Sequence, residues 1–555
     1  MKTIYSILIC ACGAANGLYA QKHDKDTTLN RTIVVENTYN PEVMDAFKVN
    51  VLPKIEEPTA AKKEIDYATA ARPLTTWAFV PMNAITPDSK QPNQPKGYFR
   101  AAYGTRNNTD VKASYLWDMS NTDQLSLMGS LYGYDGKMPE VNDNGLKWSS
   151  HFFRSNASID YKHQFKSMAL KLGGEFSSQV FNYMPNGNQH FTEGGGYVGV
   201  QSTGNDYPVR FKATAGFRMF DIKHPVQNVL SDKEKNFWFD GCMSANLEDN
   251  QQIGVGLTLD QMSYNNYHPN YMHMRGNPFY QLETDNIKLR LGAIVTWQNH
   301  AESGFTISPD VMFEAAFAET YKFYAQATGG TELNGFKRLN ELSPYWCAIE
   351  GSSINTTHTM VDAQAGIKGT PIPGLTFSVF GGYKAVEDDL FLTPFGKGTS
   401  SEDDLLTSTV NDVTIYQSIV SQANSHKFYG GASLDYSMKD RISFSLNGVY
   451  NGWSDTDNGY MMYLKPQASL NASVRAKVYS DIYAQVLYHY ESRVGKVNGK
   501  KADAINNLSL MAGYEFFNRL NLFIRLDNVL NQHYLTETAY PVQRFSTMAG
   551  LSIRF

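Results

Sequence analysis

Several short stretches of this chain carry residue types that could do chemistry. "HPNYMHM" (268–274) places His268, Met272, His273 and Met274 within one turn-sized run. Imidazole and thioether groups together are ligands for copper or haem iron. Nothing in the run fixes a coordination geometry, and it reads as a loop. "SSEDDLLTSTVND" (400–412) and "EDD" (387–389) cluster carboxylates. Clustered oxygens suit calcium or divalent-bridged lipopolysaccharide, but a solvated loop is the simpler reading. "DTDNG" (455–459) lacks the spacing and final Glu of a calcium loop and reads as a turn. "GGGYVG" (Gly194 to Gly199) satisfies G-x-G-x-x-G. It leads into an alternating strand rather than a helix, so no helix N-terminus would meet a pyrophosphate, and it reads as loop glycines entering that strand. The chain contains no G-x-S-x-G and no His-Glu-x-x-His. No catalytic residue, metal ligand or cofactor is therefore assigned, and the expectation is a protein that is not an enzyme.

The elements around these runs say more than the runs do. "QASLNASVRA" alternates Ala468, Leu470, Ala472, Val474 and Ala476 with Gln467, Ser469, Asn471, Ser473 and Arg475. "DIYAQVLYHY", "NLSLMAGYEF", "RISFSLNGVY", "VRFKATAGFRM" and "IKLRLGAIVTW" repeat the pattern. A period of two puts successive side chains on opposite faces of a strand. These runs are longer than the five or six residues of an ordinary soluble strand. Nine to eleven tilted residues is the length that crosses a bilayer. The second face carries Arg, Lys, Asp and Asn at mid-strand, which suits a wet lumen, while the apolar face suits lipid. Backbone groups in lipid must all be paired, so such a sheet has to close on itself. The fold class expected is all-β: a closed antiparallel transmembrane β-barrel of about 20 strands (18–22), spanning residues 97–555.

Connection lengths agree. "FNR" (517–519), "KVYS" (477–480), "MKDR" (438–441) and "TPIPG" (370–374) are short, whereas 529–544, 491–505, 451–466 and 386–427 are long. Outer-membrane barrels have short periplasmic turns and long external loops. The alternation holds back to about residue 305. Before that, "LEDNQQ" and "NHAESG" are both short and 264–286 is long, so one strand is miscounted there. Aromatic residues, including Tyr436, Tyr450, Trp453, Tyr479, Tyr490, Phe516 and Phe517, fall near strand ends, where interfacial girdles lie. Charge is nearly balanced, 49 basic against 54 acidic residues, which removes nucleic acid as a default partner.

The N-terminal run "MKTIYSILICACGAANGLYAQ" reads as a secretory signal cleaved after Ala20. "ICAC" around Cys12 partly resembles a lipobox, but the leader before it is short. Cleavage leaves Cys242 and Cys347, read as free thiols. Residues 21–96 are interrupted by prolines at 41, 53, 58, 73, 81, 87 and 92. They read as an extended periplasmic segment with a short helix around residues 59–71.

The last strand, "FSTMAGLSIRF", puts Phe545, Thr547, Ala549, Leu551, Ile553 and Phe555 on one face. A final strand with these residues, ending in Phe, resembles the signal read by the outer-membrane barrel-insertion machinery. The longer stretch "LFIRLDNVLNQHYLTETAYPVQRFSTMAGLSIRF" resembles the C-terminal end of TonB-dependent receptors through Asn528, Leu530, Tyr534, Tyr540, Pro541, Arg544, Phe545 and Phe555. Its Pro541-Val542-Gln543-Arg544 departs from the family's Pro-Gly-Arg. "NRTIVVENTYNP" (30–41) contains Thr32-Ile33-Val34-Val35, which resembles the box that contacts the energy-coupling protein TonB. Residues 21–96 do not resemble the family's plug domain.

This resemblance implies solute uptake across the outer membrane of a Gram-negative bacterium. Lumen residues such as Arg210, Arg218, Lys288 and Arg290 would set selectivity. Expected partners are outer-membrane lipid and lipopolysaccharide, the insertion machinery, and TonB or another periplasmic or outer-membrane protein. The alternative is a non-transporting scaffold barrel, with Thr32–Val35 lying in the lumen mouth or adding a strand to a partner's sheet edge. A barrel of this width needs something in its lumen. The long loops, above all 386–427, or the N-terminal segment are the expected fillers.

Overall fold

In a computed structural model, alternation of the kind seen in "QASLNASVRA" becomes a single closed wall. The structure describes residues 95–139, 148–184, 187–204, 208–224, 233–248, 250–265, 268–299, 304–347, 354–393, 407–410, 413–416, 418–438, 441–454, 465–494, 496–497, 500–501, 503–517, 519–534 and 540–555. The signal sequence, the Thr32–Val35 box, the helix expected at 59–71 and the turn at 455–459 lie outside them.

The wall has 22 antiparallel strands. They are β1 Gly97–Gly104, β2 Thr109–Asp118, β3 Asp123–Lys137, β4 Ser149–Gln164, β5 Met168–Asn182, β6 Asn188–Ser202, β7 Val209–Ile222, β8 Lys233–Glu248, β9 Gln251–Tyr264, β10 Tyr271–Glu283 and β11 Ile287–Gln298. Then follow β12 Gly304–Ala318, β13 Tyr321–Glu332, β14 Thr357–Ile372, β15 Leu375–Thr393, β16 Ser418–Met438, β17 Ile442–Ser454, β18 Pro466–Lys477, β19 Ile482–Arg493, β20 Ile505–Phe516, β21 Leu520–Asp527 and β22 Ser546–Arg554. Each pairs with its sequence neighbours, and β1 closes on β22 from Tyr98↔Arg554 to Gly104↔Met548. Closure removes every sheet edge, which is what an apolar surround demands.

The period of two decides the faces. Outward lie side chains such as Phe99, Trp117, Ile159, Phe237, Ile307, Val379, Phe428 and Ile524, all exposed. They form the band a hydrocarbon layer would cover. Aromatics Tyr103, Tyr479, Phe517 and Phe555 sit exposed at strand ends, as an interfacial girdle does. Trp453 does not join them. Its indole Nε1–H donates to the Pro466 carbonyl at 3.0 Å and its ring lies under Lys427.

Ten connections at the end shared by Gly97 and Phe555 are two to six residues long. Loops at the other end reach 24 residues, at 333–356 and 394–417. With β10 counted, each connection falls on the end its strand direction requires, and the longest ones all lie at the outer end. The miscount was β10, hidden inside 264–286. Pro278 lacks an N–H, and the β10–β11 ladder skips Asn277 and Pro278 between Gly276↔Val295 and Phe279↔Gly292 while keeping its register. Gly276 and Pro278 break the alternation that reveals other strands. The loop expected at 386–427 is shorter, because β15 extends to Thr393 and β16 begins at Ser418. Within it, Thr407–Val410 and Val413–Tyr416 pair as a small hairpin.

Candidate functional site: a lid folded into the barrel lumen

The connection between β13 and β14 does not project outward. It turns into the lumen, forms helix α1 (Phe336–Leu342), and places Trp346–Cys347 as a two-residue parallel partner of Ser418 and Ile419 on β16. "GFKRLNELSPYW" explains the helix. Phe336 and Leu339, three apart, are its buried residues, while Lys337, Arg338, Asn340 and Glu341 are polar. Ser343 and Pro344 follow and stop it.

The first helical amide is met by a wall carboxylate. Phe336 N–H donates to Glu234 Oε2 at 2.6 Å, and Tyr264 O–H donates to the same oxygen at 3.1 Å. An oxygen acceptor satisfies one of the orphan amides of a helix start. Gly335 leaves room for this contact, since a Cβ there would stand 2.8 Å from that carboxylate. Lys337 pairs with Glu193 on β6 at 3.0 Å, and the Gln179 amide on β5 donates to Asn340 Oδ1 at 3.1 Å. Arg338 donates to Asn334 at 2.7 Å, stiffening the approach to the helix.

Apolar packing does the rest. Phe336, Leu339, Tyr345 and Trp346 enter a buried cluster with Trp148, Phe181, Tyr183, Phe191 and Phe220 from the outer ends of the β4–β7 wall. Tyr345 stacks on Tyr540 at 3.6 Å and 10°, and Trp148 meets Tyr540 edge-on at 5.1 Å. Burial pushes the Tyr345 hydroxyl well above its usual range, so it stays neutral. Large aromatics at 0 to 6% exposure in a lumen that holds water are a cover pressed against its wall.

Among the described residues, one of the long loops expected to fill the lumen does so, through 333–347; most of 394–417 and the segment 21–94 lie outside the described residues. A readable signal existed. This is a helix-period run in a chain of period-two strands, followed by Tyr345-Trp346.

The other sequence expectations distribute as follows. Arg210, Arg218, Lys288 and Arg290 all point into the lumen, each held by a neighbour. Arg210 meets Asn246 at 2.8 Å, Arg218 meets Glu193 at 3.2 Å, Lys288 meets Glu283 at 3.6 Å and Arg290 meets Asp310 at 2.8 Å. Tyr540 and Pro541 are buried, Tyr534 is buried against Asn507, and Arg544 is exposed. Asn528, at φ 48°, folds the following loop back through bonds to Gln532 and Gln543. Asn tolerates that left-handed backbone better than most residues. Phe545 and Phe555 are exposed on the outer face, and the Leu551 and Ile553 side chains share that face. Gly97 lets the Phe555 ring lie over the seam, since a Cβ would come within 2.2 Å of it.

The metal-like run is corrected too. Tyr271–Met274 is strand rather than loop, so His273 points inward while Met272 and Met274 point outward, and they cannot converge on one ion. His268 packs instead on Phe336. "GGGYVG" lies inside β6 rather than in a loop before it, and Glu387 and Asp389 lie in β15, paired with His358 and Ser425.

No protein-family model and no curated protein sequence matches the chain. Solved structures do. The siderophore receptor PirA of Acinetobacter baumannii superposes with a TM-score of 0.65 at 10% identity, over 84% of this chain and 81% of that one. A variant of the ferric enterobactin receptor PfeA of Pseudomonas aeruginosa, in complex with enterobactin, gives 0.63 at 11%, over 83% and 81%. PirA of Pseudomonas aeruginosa gives 0.60 at 11%, over 84% and 82%. The fold is that of a TonB-dependent receptor barrel. At such identity the likeness concerns the closed wall and its strand order.

Proposed function

We propose that this chain takes up a small solute across the outer membrane, with segment 333–347 as the gate of its lumen. The observation that carries this reading is the lid itself. A wide barrel wall is crossed by a loop held through a helix, two charged or polar pairs and an aromatic stack, all on the water-facing side. Such a loop can leave without breaking a hydrogen bond between the strands of the closed barrel, losing its own bonds, such as those to Glu234, Gln179 and β16. The similarity to receptors whose names describe siderophore and ferric enterobactin binding supports uptake and an outer-membrane location. Those ligands belong to those proteins.

The periplasmic arm of the reading is the N-terminal segment 21–96. Thr32, Ile33, Val34 and Val35 would meet TonB, or another periplasmic protein, as an added strand. Phe545, Leu551, Ile553 and Phe555 would be read by the insertion machinery. Lipid and lipopolysaccharide would cover the outer band.

The test is conductance in planar bilayers. The full chain is expected to be closed, and a variant with 336–346 replaced by a Gly/Ser linker is expected to conduct steadily. Equal conductance of the two would sink the gate. Val34→Pro should abolish energised uptake in cells while leaving the conductance of the lidless variant unchanged. Uptake insensitive to that substitution removes the role of the box.

A further inference from the structure

Beneath α1, between the lid and the β2–β6 wall, lies a lumenal cavity of about 450 Å³. That is within the range of small-molecule sites, about 300–1,000 Å³. Its wall presents Ser114, Ser130, Asn156, Ser158 and Ser177. Each is a side chain able to donate and accept. Ser177 donates to Asn156 Oδ1 at 2.8 Å and the Asn156 amide donates to Ser130 at 3.2 Å, so these groups form a ladder across β3, β4 and β5. Ser114 Oγ is buried and has no hydrogen-bond partner among the described residues. One side is apolar, from Tyr98 and Met128.

Its charges cancel. Lys112, Arg154 and Lys337 stand against Glu175, Glu193 and Glu341, three of each sign. Most are already engaged. Glu193 binds Lys337 at 3.0 Å and Arg218 at 3.2 Å, Glu175 binds Arg218 at 3.3 Å, and Arg154 Nε donates to Gln179 at 2.7 Å. An ionic ligand entering here would lose hydration without gaining a counter-charge. An uncharged ligand bearing many hydroxyls would find donors and acceptors on one side and an apolar surface for its C–H face on the other.

We propose that this cavity binds a small, uncharged, hydroxyl-rich solute of sugar-like chemistry, with the lid helix as its roof. Asn340 lines the cavity and also holds the lid to Gln179, so occupancy and lid position are coupled through it. This rests on the uptake reading only in taking the lumen to be reached by solutes.

The experiment is calorimetric titration of the purified full chain with maltose and sucrose, and with gluconate and choline as anionic and cationic probes. Saturable binding of a disaccharide, and of neither ion, is expected. Ser158→Phe and Ser130→Phe, which fill the cavity, should abolish it. Asn340→Ala should weaken it roughly fivefold to tenfold, the worth of one hydrogen bond. Retention of the heat-modifiable folded band on gels shows that each variant still forms the barrel. Absence of disaccharide binding, preference for either ion, or binding unaltered in both filled variants overturns the proposal. Conductance of the lidless variant separates the two readings. A lidless channel that conducts, in a protein that binds no disaccharide, leaves uptake standing and removes this site. Disaccharide binding lost in the filled variants supports the site even where the lidless variant stays closed, an outcome that removes the gate alone.

Discussion

Two apolar clusters face the lumen, and they do different work. The lid cluster gathers Trp148, Phe181, Phe191, Phe220, Phe336, Tyr345, Trp346 and Tyr540 from residues hundreds of positions apart. The seam cluster gathers Ala102, Tyr483, Leu487, Met511, Phe523 and Met548 from β1 and from the last strands, β19 to β22. Around the seam, Arg100 lies over Phe523 and bonds Asp110 at 3.0 Å, and Arg525 approaches the same carboxylate at 3.9 Å. One cluster fastens a loop to a wall. The other fastens the first strand to the last. Similar side chains on the same inner surface should therefore fail in different ways: the lid by opening, the seam by unfolding.

Substitutions can break that distinction or sharpen it. The largest effect is expected at the seam. Asp110→Ala removes the carboxylate that two buried guanidiniums share, at a cost of about 3–5 kcal/mol. The temperature at which the folded band converts to the unfolded one on semi-native gels should fall sharply, with the full-length channel still closed. Next is Tyr345→Ala. Losing a buried aromatic costs about 3 kcal/mol, so the lid should open roughly a hundredfold more often. Single-channel recording reads this directly, while the melting of the barrel should barely move. If Tyr345→Ala melts the barrel instead, the two clusters are one cooperative unit and the distinction fails. Lys337→Gln removes a partly exposed pair worth at most about 1 kcal/mol. Opening should rise less than tenfold, and more at low salt than at high. The smallest effect is expected from Arg290→Gln. It leaves Asp310 facing the lumen and should only move the reversal potential of the lidless variant toward cation preference, with folding unchanged.

The barrel was legible because its cause is local. Alternation through Ala468, Leu470, Ala472, Val474 and Ala476 names a strand and both of its faces at once. "MKDR" and "FNR" reveal which end carries the turns. β10 escaped because Pro278 interrupts that local signal. The inward direction of Arg210, Arg218, Lys288 and Arg290 was readable for the same reason, since each sits on the polar phase of its strand. Their partners were not, because Asp310, for example, lies on a different strand from Arg290 and only the register brings them together.

The lid lies at the other extreme. Sequence by itself determined a strand-built, two-faced, closed wall with an aromatic-ended last strand, because a lipid surround permits few other ways to satisfy a backbone. It also marked Tyr540 within a family-like motif, without a reason for it. Only the tertiary structure decided that 333–347 turns inward, that Tyr540 stacks on Tyr345, and that Glu234 meets the first amide of α1. Those contacts join residues 102 and 195 positions apart. Their energy exists only once the wall has closed and brought the outer ends of β4–β7, β8 and the last loop around one space. A local pattern cannot encode a meeting that depends on closure.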